Sequence, residues 1–222
     1  MADPRTEEQT PAEQRSPAEY WESRYTELDR LWSGRVNRVL EDVASPLEPG
    51  RALDLGCGEG GDAAWLARRG WTTTGVDISP TAAERGRAAA RELGISEASL
   101  RFEAGDLAEW SPEEPFDLVT CSFLHSWPVV IPREAILRRA TGFVAPGGRL
   151  LVTSHAAAPA WADHEALHGY AFPTPESDLA ALDLDPDAWE VLLAELRDRE
   201  VTTPDGEPGT VVDGVVLVRR LR

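Results

Sequence analysis

The sequence predicts an α/β fold of three layers, in which helices cover both faces of a mostly parallel, seven-stranded sheet with an antiparallel last strand. Three observations lead to this prediction. Short apolar runs alternate with helical patterns between Arg51 and Ser154, and such alternation requires right-handed crossovers between parallel strands. A Pro-Asp-Gly turn at 204–206 separates two C-terminal strand patterns, which predicts an antiparallel closing pair. The 222 residues suffice for one domain of roughly 150 residues but not for two with linkers.

The N-terminal segment contains two helix-start patterns. Residues 1–15 are rich in Pro, Glu, Gln and Thr, which predicts a disordered tail. Ser16, Pro17 and Glu19 form a capping-box start for a first helix. A second helix is predicted by apolar residues at i, i+3, i+4 and i+7, namely Val36, Val39, Leu40 and Val43.

The central and C-terminal elements follow from periodicity and from glycine and proline positions. Strands are predicted at 52–55, 72–76, 100–103, 116–121, 149–154, 200–203 and 211–219. Helices are predicted at 61–69, from the Ser79 cap to Gly94, from Pro132 to about Thr141, and from Asp185 to about Arg197. Residues 156–183 show no regular pattern.

Charge and composition exclude several classes of protein. The formal net charge of -17 disfavours a nucleic-acid partner, since binding draws on Lys and Arg that neutralise phosphates. No apolar run approaches the roughly 20 residues that cross a bilayer, so we expect a cytoplasmic protein with no membrane partner. Cys57 and Cys121 lie far apart, which favours reduced thiols over a disulfide. We expect a monomer or a homodimer.

A glycine loop follows the first predicted strand, in the run Ala52-Leu53-Asp54-Leu55-Gly56-Cys57-Gly58-Glu59-Gly60-Gly61. In an open parallel sheet, ligands bind beyond the carboxyl ends of the strands. The spacing of Gly56, Gly58 and Gly61 also fits a dinucleotide fingerprint, and Asp77 could hold a ribose hydroxyl in either case. The glycine pattern alone therefore leaves the ligand open.

Charge favours one ligand. Asp54, Glu59 and Asp62 surround a loop that, in a dehydrogenase, receives an anionic pyrophosphate. S-adenosylmethionine has an ammonium, a sulfonium and no phosphate, so these acids can balance its charge while the helix start accepts its carboxylate. The loop predicts S-adenosylmethionine as the cofactor.

Five segments in this order resemble the motifs of the class I S-adenosylmethionine-dependent methyltransferases, whose fold is Rossmann-like, and the resemblance extends over about residues 17–220. These segments are 52–60, 76–79, 105–107, 116–119 and 145–150. The resemblance implies methyl transfer to a small-molecule acceptor through an S, Se, Te, O or N nucleophile. It implies a helical cover at 16–48, a cofactor-binding core at 49–155, and a substrate-side insert with sheet closure at 156–222.

The resemblance also implies roles for individual residues. Gly56, Gly58 and Gly60 would line the methionine part, and Asp77 would bind the ribose hydroxyls. Asp106 and Leu107 would contact the adenine. The other residues expected at the cofactor are Asp54, Cys57 and Ile78, with Cys121 and Ser122 near the transferred methyl. Asp62 is a further possible contact.

Methyl transfer needs a base only if the acceptor carries a proton. His125, just after the fourth strand, is the candidate catalytic base, since imidazole accepts a proton near neutral pH. The alternative is that His125 only shapes the loop. His155, after the fifth strand, is the second candidate.

An aromatic group precedes the core in a segment that resembles the cover of the tellurite-resistance and thiopurine methyltransferase-like branch. It predicts a lid over the substrate, although tryptophans packing a helix onto the sheet are the simpler alternative. The expected substrate and lid residues are Trp21, Tyr25, Trp32, Arg35, Trp127 and His155.

The run His164-Glu165-Ala166-Leu167-His168 matches H-E-x-x-H, which on a helix binds zinc. A zinc hydrolase is therefore one alternative, although no clear third ligand follows. We expect no metal. A non-catalytic module that binds S-adenosylmethionine is the second alternative.

Overall fold

The computed structural model describes residues 15–126, 129–163, 165 and 167–222. Residues 1–14 of the predicted tail, Trp127 and His164 lie outside this part. The helices are α1 Pro17–Glu27, α2 Arg38–Ala44, α3 Gly61–Arg68, α4 Pro80–Glu92, α5 Arg133–Thr141 and α6 Pro175–Leu182. The strands are β1 Arg51–Leu55, β2 Thr72–Asp77, β3 Leu100–Ala104, β4 Phe116–Ser122, β5 Val144–His155, β6 Trp189–Thr202 and β7 Pro208–Arg220.

The seven strands form one sheet in the order β3-β2-β1-β4-β5-β7-β6. Neighbouring strands from β3 to β5 are parallel, and β7 is antiparallel to both β5 and β6. The prediction of a mostly parallel seven-stranded sheet with an antiparallel last strand is confirmed.

Alternate strand residues bury apolar side chains on opposite faces of the sheet, which produces the three layers. Val119 of β4 belongs to the core cluster that contains Leu137 of α5. Its neighbour Leu118 belongs to the cluster on the other face, with Leu40 of α2 and Leu66 of α3. All five side chains are fully buried.

Local helix starts follow the sequence. The Ser16 side chain accepts the Glu19 N–H while Glu19 accepts the Ser16 N–H, so the predicted capping box is confirmed. The second helix starts later than predicted, because Asn37 is its N-cap and Val36 precedes it.

Two C-terminal predictions were wrong. Residues 189–197 belong to β6 rather than to a helix, since this segment pairs with β7 along the whole length of both strands, and that pairing overrides the helix propensity of its Leu, Ala, Glu and Arg residues. The segment 156–183, predicted to be irregular, contains α6. The start of α6 has a pattern that the prediction missed. Thr174 is the N-cap, Pro175 is the first helical residue, and Ser177 completes a capping box with Thr174.

The strand order reverses between β1 and β4, because the chain builds β2 and β3 on one side of β1 and then crosses to the other. Loops that leave the carboxyl ends of these two strands diverge and open a crevice, which is where open α/β sheets bind ligands. The glycine loop after β1 and residues 123–125 after β4 border this crevice. Within the part of the chain that the structure describes, no helix is long and apolar enough to span a bilayer.

Candidate active site

A cleft of about 1540 Å³ opens at this crevice. Pockets for a single drug-sized ligand measure roughly 300–1,000 Å³, so the cleft has room for a cofactor and a second small molecule. Most of the predicted site residues line it: Trp21, Tyr25, Trp32, Arg35, Asp54, Gly56, Cys57, Gly58, Gly60, Asp77, Ile78, Asp106, Leu107, Ser122, His125 and His155. Cys121 does not; its side chain is buried in the apolar core beside α5.

Three glycines give the loop after β1 its shape. Gly56, Gly58 and Gly60 have φ values of 70°, 53° and 83°, in the left-handed region that favours glycine. A Cβ on Gly58 would lie 2.9 Å from Cδ1 of Trp32 and 3.0 Å from the Tyr25 hydroxyl. The backbone of the loop therefore passes directly beneath the aromatic residues of the cover.

Asp77, at the end of β2, fixes the same loop. Its carboxylate accepts the backbone N–H groups of Gly58 and Ser79, each at 2.9 Å. Burial raises the pKa of Asp77 and these two hydrogen bonds oppose that shift. The carboxylate predicted to hold a ribose thus also positions the glycine loop.

Asp54, near the end of β1, is a buried carboxylate in the wall of the cleft. Its side chain is buried, and within the described residues its Oδ2 has no hydrogen-bond partner. Burial raises the pKa of Asp54, and the negative charges of Asp62 and Asp77 raise it further. A buried, unpaired carboxylate is a site that a cationic ligand group would satisfy.

Asp62 lies in the first turn of α3 and is partly buried. It accepts the backbone N–H of Asn37 at 2.6 Å, which links α3 to the start of α2. Removal from solvent raises the pKa of Asp62 as well. The buried Asp54 and the partly buried Asp62 therefore give this end of the cleft an electrostatic preference for positive charge.

Glu59, which was expected to balance the positive charge of the cofactor, has other partners in the structure. Its carboxylate pairs with Arg85 at 3.1 Å and accepts the backbone N–H groups of Leu31 and Trp32 at 3.1 and 3.0 Å. The residue therefore ties the cover to the glycine loop, and its charge is neutralised. The argument against a pyrophosphate depends on Asp54 and Asp62.

The cover lies over the glycine loop. Tyr25 is buried, and its hydroxyl accepts a hydrogen bond from Nε1 of Trp32 at 2.9 Å. Trp32 is 51% exposed, so one side of its ring faces solvent while the other contacts the loop. The role of these aromatic side chains as a lid stays a prediction.

His125 is held on both sides. Its Nε2 accepts the backbone N–H of His155 at 2.9 Å, so the ring proton lies on Nδ1, which donates to the Tyr170 hydroxyl at 3.1 Å. Burial, together with the charge of Arg133, lowers the pKa of His125 to about 3. These contacts are those expected of the alternative in which His125 shapes the loop.

Arg133 and Asp178 form a buried ion pair beneath this loop. Arg133 also donates to the carbonyl oxygen of Leu124 at 3.0 Å and to the Ser154 hydroxyl at 2.6 Å. The Ser154 hydroxyl donates to Asp178 at 2.6 Å. The network joins α5, α6, β5 and the loop after β4, so it fixes the position of that loop at the cleft.

The sequence analysis missed several residues of the cleft, among them Phe123, Arg199 and Asp213. Phe123 has φ 54°, an uncommon conformation for a residue with a Cβ. Asp213 interrupts the apolar run of β7, and a lone carboxylate in such a strand is the pattern that could have revealed it.

Only part of the H-E-x-x-H segment lies within the described residues. Glu165 and His168 are exposed and lie in turns rather than in a helix, while His164 is outside the described residues. Among the residues whose positions are described, no group of three His, Cys, Asp or Glu side chains could hold a metal ion.

Comparison with known proteins identifies the family. The methyltransferase domain family matches residues 52–148. Demethylmenaquinone methyltransferase of Beutenbergia cavernae is 32% identical over 77% of this chain and 66% of its own length. Trans-aconitate 2-methyltransferase of Streptomyces avermitilis is 32% identical over 74% of this chain and 68% of its own.

Two solved structures share the fold. One comes from work on the conversion of a disulfide bond into a thioacetal group during echinomycin biosynthesis. It has a TM-score of 0.67 and 23% sequence identity, and the match covers 91% of this chain and 92% of that chain. The N-methyltransferase NodS of Bradyrhizobium japonicum, in complex with S-adenosylhomocysteine, has a TM-score of 0.60 and 18% identity over 98% and 94%.

The chain belongs to the class I S-adenosylmethionine-dependent methyltransferases, and its cofactor is S-adenosylmethionine. The more specific resemblance to the tellurite-resistance and thiopurine methyltransferase-like branch stays a prediction. The chain aligns with only part of its curated relatives, from 29% to 68% of the relative's own length.

Proposed function

We propose that this chain transfers the methyl group of S-adenosylmethionine to a neutral or cationic small molecule bound beside it in the cleft. The observation that carries the proposal is the buried Asp54 carboxylate, whose Oδ2 lacks a partner within the described residues at the wall of a cleft large enough for two ligands. The cofactor supplies an electrophilic methyl group on a sulfonium.

The residues of the cleft suit each part of this cofactor. Asp54, with Asp62 behind it, would balance the ammonium, and the loop of Gly56, Gly58 and Gly60 would follow the methionine chain. Asp77 would accept the ribose hydroxyls. The remaining residues assigned to the cofactor are Cys57, Ile78, Asp106, Leu107 and Ser122.

Charge in the cleft disfavours an anionic acceptor. Nine Asp and Glu side chains line it but only four Arg side chains. Arg38 pairs with Asp42 at 3.1 Å, and Arg197 and Arg199 pair with Glu195 and Asp213 at 2.6 and 2.5 Å. Trans-aconitate, named for one relative, is an anion, whereas demethylmenaquinone, named for the other, is a neutral quinone. The acidic cleft favours a neutral acceptor over an anionic one.

Calorimetry followed by an acceptor screen tests the proposal. The purified chain should bind S-adenosylmethionine, and Asp54→Asn should weaken binding at least tenfold, while the exposed charge control Glu97→Gln should bind normally. Radiolabelled cofactor is then offered with phenols, quinols, amines, thiols, selenite, tellurite and trans-aconitate.

Label transfer to a neutral or cationic acceptor supports the proposal, and a preference for trans-aconitate contradicts the acceptor class. Tight cofactor binding without label transfer to any acceptor would favour the non-catalytic binding module. Absence of cofactor binding would overturn the assignment of the cleft.

A further inference from the structure

Among the described residues of the cleft, one imidazole has a ring nitrogen without a hydrogen-bond partner. His155 ends β5, at the same sheet edge as the glycine loop, and its side chain is 37% exposed. Within the described residues, its Nε2 has no hydrogen-bond partner, in contrast to both ring nitrogens of His125. His155 can therefore meet a second ligand in the cleft as a base.

Asp213 lies behind this imidazole. His155 and Asp213 are directly paired across the antiparallel strands β5 and β7, which places both side chains on the same face of the sheet. Oδ1 of Asp213 is 3.6 Å from Nδ1 of His155, and the carboxylate is completely buried. A buried carboxylate behind Nδ1 orients an imidazole and stabilises its protonated form.

The charge of Asp213 is preserved by its second partner. Arg199 of β6 donates to both carboxylate oxygens, at 2.5 and 3.1 Å. Burial would raise the pKa of Asp213, but the contacts with His155 and Arg199 outweigh burial and lower it. Asp213 is thus ionised at neutral pH.

Stacking fixes the plane of the His155 ring. The Phe123 ring lies 4.2 Å from it at 19°, and the guanidinium of Arg199 lies 5.4 Å from the centre of the Phe123 ring. The ring of His125 is nearly parallel to that of His155 at 5.6 Å. The charged and titratable neighbours of His155 are therefore Asp213, Arg199 and the neutral His125.

We propose that His155, oriented by Asp213, is the base that removes the proton of a hydroxyl or amine acceptor, and this inference rests on the proposed function. Nε2 of His155 takes the proton, and the electron pair left on the acceptor forms the bond to the methyl carbon. The methyl–sulfur bond breaks, and its electron pair stays on the sulfur, which loses its positive charge. The imidazolium, paired with Asp213, returns the proton to water.

Chemical modification tests the geometry without turnover. Diethylpyrocarbonate should carbethoxylate His155 in the cofactor-free protein, whereas His125 should stay unmodified, as peptide mass spectrometry would show. A reactive His125 with an inert His155 would overturn the proposal.

Kinetics test the role, with the hydroxyl acceptor of highest turnover in the screen above. His155→Gln should lower kcat about 10²-fold or more and leave KM and cofactor affinity within twofold, and Asp213→Asn should lower kcat about tenfold. Acceptors that are neutral and whose nucleophilic nitrogen carries no proton, such as pyridines, should lose little turnover in His155→Gln, whereas a merely structural role would slow them equally. His168→Gln, exposed and outside the cleft, is the matched control.

The outcomes separate the two proposals. Methyl transfer that survives His155→Gln within twofold overturns only the base assignment. A defect that is the same for acceptors with and without a proton on the nucleophile does so too. Failure of the unmodified chain to methylate any hydroxyl or amine acceptor overturns this inference, and the proposed acceptor class is overturned with it only if no thiol is methylated either.

Discussion

Nε2 of His125 accepts the backbone N–H of His155 over 2.9 Å, which joins the loop after β4 to the end of β5. The bond uses the lone pair that a catalytic base needs, so we propose that His125 positions His155 rather than accepting a ligand proton. A buried, neutral histidine also makes stability depend on pH.

This dependence has a defined direction. Burial lowers the pKa of His125 from its ordinary value of 6.5 to about 3, so the unfolded chain takes up the proton first. The stability that the neutral ring contributes is complete above pH 6.5 and is lost as pH falls from there toward 3. Between pH 7 and 5 the loss amounts to about 2 kcal/mol.

Urea denaturation at pH 7 and pH 5 measures this loss. We expect His125→Gln to be less stable than the unmodified chain at pH 7, by about 1–3 kcal/mol. The reason is that glutamine cannot reproduce the hydrogen bonds of the imidazole with the His155 N–H and the Tyr170 hydroxyl. The stability of His125→Gln should change less between the two pH values. An equal pH dependence in both proteins would show that His125 is not the titrating group.

The raised pKa of Asp54 predicts that protons are released when the cofactor binds. Burial raises the pKa of this carboxyl, so its neutral form is favoured in the folded chain. The stability that the neutral carboxyl contributes is complete below its ordinary pKa of 3.8 and is lost as pH rises from there toward the raised pKa. A bound ammonium favours ionisation, so binding should release protons and become tighter with rising pH. Calorimetry in two buffers of different ionisation enthalpy counts these protons.

The variant Asp54→Asn makes this prediction specific. It should bind the cofactor more weakly, release fewer protons and, without cofactor, melt at a higher temperature than the unmodified chain. A lower melting temperature would contradict the interpretation that the Asp54 charge destabilises the cofactor-free fold.

Alanine substitutions at Gly58 and Gly94 separate the cost of backbone strain from the cost of a steric clash. An alanine there must adopt φ near 53° and place its Cβ 2.9 Å from Trp32, whereas an alanine at Gly94, with φ 68°, meets nothing within 4 Å. Both substitutions should cost about 1 kcal/mol of unfolding free energy for the backbone. Only Gly58→Ala should also weaken cofactor binding, by tenfold or more, as calorimetry would measure. Equal affinity in the two variants would refute the close packing of loop and cover.

The sequence was most informative where local rules and function agree. The glycine loop, the Ser16 capping box and the β1–β5 alternation depend on turns, caps and periodicity that short segments carry. Residues 189–197 of β6 were predicted as a helix because of their helix propensity, which is overridden by long-range pairing with β7. The contact of His155 with Asp213 depends on the same register, since no local pattern places residues from β5 and β7 side by side.

Glu59 connects cofactor binding to the cover. Glu59→Gln should break the pair with Arg85 and weaken the hydrogen bonds to the backbone of Leu31 and Trp32. Hydrogen exchange of residues 28–36 should then become faster, and cofactor affinity should fall severalfold. Glu84→Gln, whose ion pairs with Arg87 and Arg91 are exposed, is the control and should leave that segment unchanged. Unaltered exchange in Glu59→Gln would show that this carboxylate does not hold the cover.

The Arg133–Asp178 pair predicts a large cost when one partner is removed. Arg133→Met leaves the buried Asp178 carboxylate without its cation and deprives the Leu124 carbonyl and the Ser154 hydroxyl of a donor. The unfolding free energy should fall by about 3–5 kcal/mol. The double variant Arg133→Met/Asp178→Leu should recover part of that loss, because it removes the uncompensated charge. Urea denaturation measures both effects, and a single-variant loss below about 1 kcal/mol would mean that the pair behaves like an exposed salt bridge.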